Sequence, residues 1–384
     1  MKTAGITWRQ QAARHRITRL ILHPAITLIS LLLLFLLVFF GTLYQTDHGL
    51  YEAQRMFFGY GIVLLGGIFP VPAASLVLWV LSIQLILTIA LILPWKIRKV
   101  GLWISHLGVL TLLVGGFITQ VLAVESQLTL AEGERGDYSS AYHDWELALW
   151  ESDADTNHVV AWIDSDLKPG RALSFNPYPV EIEVDNYFRN AAAFNASATG
   201  GQPTAINPSG IAMIESRPLE KEVEQNIPGI VFDLKLPGKK DRKFQLYGLE
   251  TLPLILNVDG KTFKMQLRHR HYPLPFGIKL EEFKRTLHPG TEIAAGYEST
   301  VDLIEGEQSR PVRIYMNNPL RHSTYTLFQA SFSQERNGLE KSTFAVVTNP
   351  GRVLPYVSSL TVFGGLLIHF LILFVAYARR ESVK

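Results

Sequence analysis

Four stretches of this chain contain no Asp, Glu, Lys or Arg: Leu20 to Thr46, Met56 to Trp95, Val100 to Val124 and Val353 to Ala378, of 27, 40, 25 and 26 residues. A helix needs roughly 20 apolar residues to cross the hydrocarbon of a bilayer, so each stretch is long enough to span. Only 18% of the 384 residues are charged, against about 25% in soluble domains, and the deficit sits in those stretches. An ordinary soluble enzyme is excluded.

The net charge of +2 conceals a separation. Lys2, Arg9, Arg14, Arg16 and Arg19 precede the first stretch, Lys96, Arg98 and Lys99 divide the second from the third, and Arg379, Arg380 and Lys384 follow the fourth. With Glu381 these segments carry +10, leaving −8 for the rest, nearly all of it between the third and fourth stretches. The positive-inside rule then predicts spans at 20–43, 73–93, 101–123 and 356–377 in the inner (cytoplasmic) membrane. The N-terminal 1–19, the turn 94–100 and the tail 378–384 fall inside, and 44–72 and 124–355 outside. The first span is no typical cleaved signal peptide, because its apolar run is too long and no A-x-A-like site follows. The 40-residue stretch would extend about 60 Å as one helix, twice the hydrocarbon thickness. Pro70 and Pro72 break it, so Phe57 to Phe69 is predicted to be an interfacial helix.

The outward segment reads as strands at Gln127 to Ala131, Trp145 to Glu151, Val180 to Val184, Val231 to Leu236 and Thr262 to Leu267. In the last, Phe263, Met265 and Leu267 alternate with Lys264, Gln266 and Arg268, the period of a half-buried strand. Asp259-Gly260 and Pro237-Gly238 are turn signals, and Asn190 to Gly210 has the composition of a mobile loop. The expected fold class is an α + β membrane protein. It has four transmembrane helices and a large extracytoplasmic, mainly-β, sandwich-like domain between the third and fourth. The acidic domain offers no electrostatic case for nucleic-acid binding.

The absence of cysteine excludes disulfides, CxxC redox chemistry, thiolate metal sites and a CxxCH haem attachment within this chain. No GxxxxGK[ST], HExxH, GxSxG or GxGxxG motif is present, and no catalytic residue is assigned. The informative residues are two histidines within spans. His106 lies about 10 Å along its helix from Lys99, and His369 about 15 Å from Arg379, which predicts similar depths in hydrocarbon. A polar ring there is a functional-site candidate by default, and neutral imidazole is a good axial ligand for haem iron between helices. The alternative is that each ring bonds a neighbouring carbonyl and packs helices together. No span contains a carboxylate, which argues against a proton relay within the chain. His48 lies beyond the outer end of the first span, where a ligand could face outward. His23 is expected to snorkel beside Arg19. His269 and His271 alternate on a strand and could grip a metal, but no third ligand is evident. Trp103 and Trp79 read as anchors or packing residues.

These segments resemble the ResB family (also called CcsB), membrane subunits of System II cytochrome c biogenesis. The resemblance runs through Gly41-Thr42-Leu43-Tyr44-Gln45, Ala53-Gln54-Arg55-Met56-Phe57-Phe58, Gly101-Leu102-Trp103-Ile104-Ser105-His106-Leu107-Gly108 and Glu132-Gly133-Glu134. It continues through His288-Pro289-Gly290-Thr291, Tyr297-Glu298-Ser299, Met316-Asn317-Asn318-Pro319-Leu320, Tyr325-Thr326-Leu327-Phe328-Gln329 and Asn349-Pro350-Gly351. It implies a haem-handling subunit of a cytochrome c synthetase complex. Such a subunit transfers haem b with a CcsA/ResC-type partner, which carries a tryptophan-rich WWD segment, for attachment to CxxCH of apocytochrome c. His106 falls at the family's haem-ligand position and would be an axial ligand to the iron. The second ligand would be His369 or a partner histidine. This chain has no WWD segment, so it should not complete ligation alone. The competing reading is a non-catalytic scaffold whose β-domain recruits a partner. A sensor is disfavoured because no output domain fits the cytoplasmic segments.

Overall fold

The computed structural model describes residues 15–152, 158–195, 203, 205–236, 238–291, 294–334 and 338–381. It divides into two compact units, Met1–Val124 with Thr348–Lys384, and Glu125–Val347. Of the basic N-terminal segment, 1–14 lie outside the described residues, as does Lys384.

The first unit is helical. Helix α1 (Arg16–Ile21) ends just before Pro24, which opens α2 (Pro24–His48) at the first helical position, where its missing N–H costs nothing. Then come α3 (Leu50–Phe58), α4 (Ala74–Leu87, continued by a π turn at Thr88–Ile92), α5 (Val100–Leu122) and α6 (Leu354–Glu381). Among the described residues, four helices are long and apolar enough to cross a membrane: Pro24–His48, Ala74–Ile92, Ile97–Leu122 and Leu354–Glu381. Polar side chains within them find partners. The buried Gln84 of α4 accepts a hydrogen bond from Thr27 Oγ1 (2.8 Å) and donates to His23 O (3.2 Å), tying α4 to the start of α2.

The helix expected over Phe57 to Phe69 is not found there. Helix α3 ends at Phe58, and strands β1 (Ile62–Leu65) and β2 (Phe69–Pro72) form an antiparallel hairpin. The chain reverses at Gly66 and Gly67, with φ of +59° and +77°, a conformation glycine adopts without steric cost. Pro70 and Pro72 are tolerated because β2 has a partner on one side only. Val63 and Leu65 turn inward against Leu37, Phe57, Ala73 and Val77, which anchors the hairpin on α2, α3 and α4.

The second unit is mostly β. Its strands are β3 (Val124–Ala131), β4 (Arg135–Glu151), β5 (Val159–Ile163), β6 (Ala172–Ser174), β7 (Glu181–Phe188), β8 (Ala191–Asn195), β9 (Ile211–Ser216), β10 (Gly229–Lys235) and β11 (Arg242–Tyr247). They continue as β12 (Leu254–Val258), β13 (Lys261–Leu287), β14 (Ala294–Glu305), β15 (Gln308–Tyr315), β16 (Leu320–His322), β17 (Tyr325–Gln334) and β18 (Glu340–Thr348). The main sheet runs β15-β14-β13-β4-β3-β18-β17-β16, with β5 beside β4 and β12 beside β13, and a second sheet runs β11-β10-β7-β6.

Two hydrophobic cores share the long strand β13. In one, Leu147, Leu149, Phe263 and Met265 pack against Ile182, Val184, Ile230 and Phe232 of the second sheet, as in a sandwich. In the other, Leu128, Ile278, Leu280, Val301, Leu327 and Phe344 fill the inside of the main sheet. The β13–β4 register shifts between His269 and His271 and again between Pro273 and Ile278, so the joint between the cores is a pair of bulges.

Asp259 and Gly260, with φ of 50° and 78°, make the β12–β13 turn. Pro237 of the other expected turn lies outside the described residues. Part of the stretch expected to be a loop, Asn190 to Gly210, is ordered: β8 pairs with β9, and Ala191 packs with Ile211 and Ile214. Its small side chains, which gave it a loop's composition, let the hairpin lie close. Residues 196–202 and 204 lie outside the described residues.

Candidate functional site

Helices α5 and α6 pack antiparallel through small residues. The buried stripe of α5 is Gly101, Ser105, Gly108 and Gly115, and that of α6 includes Ser358 and Gly365. A Cβ on Gly101 would lie 2.5 Å from both Gly365 O and His369 N, and one on Gly365 would lie 2.5 Å from Ser105 N. The backbones therefore touch. Hydroxyls bridge the seam: Ser358 Oγ donates to Gly108 O (2.8 Å), and Ser105 Oγ, bonded to Gly101 O of its own helix (3.0 Å), also reaches Val362 O of α6 (3.4 Å). Close approach through small residues is how membrane helices associate where no hydrophobic force separates protein from lipid.

His106 follows Ser105 but lies on another face. At about 100° per residue it is roughly 140° around α5 from the centre of that seam. It shares a stripe with Leu102, Leu113, Phe117 and Gln120. Toward its far end this stripe meets α4, where Phe117 stacks on Trp79 (4.4 Å between centroids) and Gln120 Nε2 donates to Ser75 Oγ (2.7 Å). The half-buried His106 places Nδ1 2.7 Å from Leu102 O. A carbonyl oxygen only accepts, so Nδ1 carries the proton and Nε2 keeps its lone pair. A backbone carbonyl holding Nδ1–H is a familiar outer partner of metal-binding imidazoles, fixing both tautomer and ring orientation. The residue thus fits the donor role for haem iron.

His369 continues the α6 stripe of Ser358, Val362 and Gly365, so it lies in the seam. Its Nδ1 is buried without a hydrogen-bond partner. Its backbone is opposite Gly101, which puts it about 7.5 Å along the helix axis from the level of His106. The similar depth inferred from flanking charges is not observed: His369 is nearer the end marked by Lys99. The reason is that α6 runs past the start of α5, so Arg379 lies well beyond Lys99 and is a poor ruler for depth. The structure does not bring the two imidazoles together. They occupy different faces at different levels, and touching backbones leave no room for a flat macrocycle between α5 and α6.

The remaining histidines are engaged locally. His23 caps α2, its Nδ1 accepting from Ala25 N (3.2 Å); capping, rather than snorkelling, is its visible role. His48 stacks on Tyr44 at 3.9 Å and 7°. His269 stacks on Trp145 (3.9 Å) and His271 on Tyr138 (4.1 Å). Burial lowers the pKa of both, with His143 adding to the effect at His269. His271, which also feels Arg268 and His269, is pushed down to about 3. Both rings are therefore neutral stacking partners at the joint between the cores. Among the described residues no three His, Cys, Asp or Glu side chains converge as a metal site. Trp103 Nε1 donates to Pro94 O (3.2 Å) and its ring leans on Trp95, pinning the turn before α5.

Sequence reasoning missed the seam and the Gln84 clasp. The small-xxx-small spacing of Gly101 and Ser105 was the available signal for the first. A lone glutamine in an uncharged run was the signal for the second.

Residues 254–345, from the start of β12 into β18, match the ResB-like family. No curated protein matches the chain.

Proposed function

We propose, from the match of residues 254–345 to the ResB-like family, a haem-handling role in System II cytochrome c biogenesis, the family's known context. In this reading haem is cargo, held within the membrane through His106. The observation that carries it is the His106 Nδ1–Leu102 O hydrogen bond, which reserves the Nε2 lone pair for a ligand. The supporting shell is apolar, with Leu102 and Leu113 on the same stripe, and suits a porphyrin face better than water. The seam with α6 holds α5 from behind, so the donor sits on a fixed rod.

The opposite axial position is assigned to a histidine of the CcsA/ResC-type partner, because His369 belongs to another face and level. One imidazole from each protein would let iron pass from one ligand to the next with its porphyrin still shielded. In this reading His369, enclosed in the closed seam, packs α6 against α5 rather than holding the cargo. The basic segments set both termini in the cytoplasm and the β-rich unit outside the inner membrane. There it would dock the partner and the apocytochrome that receives the haem. The chain is one part of a haem lyase, not a catalyst alone.

The test is the complex of this chain with its partner, purified and examined by visible spectroscopy in oxidised and reduced forms. A b-type spectrum is expected in the wild type, with His106→Ala lowering haem content at least about tenfold, as loss of an axial ligand should. Full haem and normal cytochrome maturation in that variant would overturn the assignment and favour the scaffold reading.

A further inference from the structure

Beyond the point where its backbone meets Gly101, α6 continues for three more turns to Glu381, while α5 has already ended at Val100. The stripe that formed the seam is there left without a partner helix. It borders a cleft of about 780 Å³ in which three arginines, Arg98, Arg379 and Arg380, stand around a floor of Leu371, Ile372 and Val375. Arg98 comes from the short turn before α5 (Ile97–Lys99), and the other two from the last turn of α6. The chain ends of the two helices thus supply charge, and the overrun of α6 supplies the apolar bed.

Three guanidinium groups line one cavity, and with Glu381 the one carboxylate in the last turn of α6 their excess positive charge favours an anion. Guanidinium matches phosphate oxygens with paired N–H donors. An apolar floor directly beneath them suits an acyl chain running along the helix. Basic pockets between membrane helices are where acidic head groups bind. None of the side chains lining the cleft can ligate iron, which separates its chemistry from that of the His106 face.

We propose that this cleft binds an anionic phospholipid, its phosphate held by Arg98, Arg379 and Arg380 and an acyl chain lying on Leu371, Ile372 and Val375. The lipid would fill the space that α5 leaves and join the ends of α5 and α6.

The experiment uses the full chain in mild detergent, titrated with phosphatidylglycerol or phosphatidylcholine of identical acyl chains, with bound lipid counted by native mass spectrometry. Wild-type protein should retain phosphatidylglycerol about tenfold better than phosphatidylcholine. The triple variant Arg98→Gln, Arg379→Gln, Arg380→Gln should lose that preference. Ala376→Trp keeps every charge and fills the base of the cleft, so it should also lose phosphatidylglycerol. It decides the matter if the triple variant does not accumulate. Millimolar inorganic phosphate should not displace the lipid, because the bed as well as the head group is recognised. The proposal is overturned if Ala376→Trp retains phosphatidylglycerol like wild type. Displacement by inorganic phosphate would reduce the site to a free-anion site. Equimolar displacement by an iron-free porphyrin dicarboxylate would reassign it to porphyrin.

Discussion

Along α5, the face toward α6 is built from Gly101, Ser105, Gly108 and Gly115 and touches its neighbour backbone to backbone. The face carrying Leu102, His106, Leu113 and Phe117 meets α4 through a ring stack and a glutamine, both toward the far end of the helix. The first face spends every side chain on closeness. The second keeps a polar ring whose one proton is committed to its own helix. A donor atom needs a rigid mount and an open side, and a helix welded along one stripe provides both. His369 shows the converse: an imidazole on the welded stripe has its Nδ1 enclosed and without a partner.

This contrast is breakable at adjacent residues. The largest effect is expected at Gly365, where a Cβ would meet Ser105 N at 2.5 Å. Because the obstacle is backbone, Gly365→Ala should cost about 3 kcal/mol, the upper end of overpacking. The loss would appear as a lower Tm in detergent and reduced monodisperse protein. A variant as stable as wild type would mean that the seam is not close-packed.

The next effect concerns imidazoles that packing has consumed, the opposite of the His106 arrangement. His269 and His271 are held neutral by burial, His271 down to about 3 against an ordinary 6.5. At His271 the unfolded chain therefore takes up a proton as pH falls through about 6.5, and the folded chain does not until about 3; His269 shifts in the same direction. Their contribution to stability is complete above the ordinary histidine range and is lost as pH falls toward the lower value. Thermal unfolding of the full chain should show this loss in the β-rich unit, and His271→Phe should flatten the pH profile. An unchanged slope in that variant would show that His271 is not the titrating group.

A smaller effect is expected at His369. Replacing the enclosed imidazole with leucine removes a buried polar atom without a partner, so His369→Leu should gain about 1 kcal/mol and leave haem content of the complex near that of wild type. A loss of haem instead would put the seam face in the path of the cargo. Smallest of all, Gly116→Ala and Gly364→Ala should be silent or stabilise by about 0.5–1 kcal/mol, since nothing lies within 4 Å of either Cβ. Their equivalence to Gly365→Ala in a melting experiment would erase the distinction between faces.

Four apolar helices were legible in the sequence because charge is excluded from hydrocarbon, and that rule tolerates few exceptions. The β1–β2 hairpin was not, because Gly66 and Gly67 lie inside an uncharged run where a turn and a helix have the same composition. Of the 27 residues in β13, Thr262 to Leu267 were legible by alternation, whereas Leu274, Phe276, Ile278 and Leu280 also alternate but are interleaved with Pro275 and Gly277, which read as breakers. The register shifts at His269/His271 and Pro273/Ile278 interrupt the ladder with β4 between the two stretches. The two intramembrane histidines stood out by polarity alone. Their relative placement did not, because it depends on how far α6 overruns α5, a packing result that no local signal encodes.

The most direct measurement is imidazole rescue of the purified complex. Visible spectra of the His106→Ala complex would be recorded with and without added imidazole, beside the wild type. The account predicts that the variant lacks the b-type spectrum and that imidazole supplied together with haem, entering the space left by the side chain, restores it. A variant that holds its full haem spectrum with no imidazole added would contradict the account.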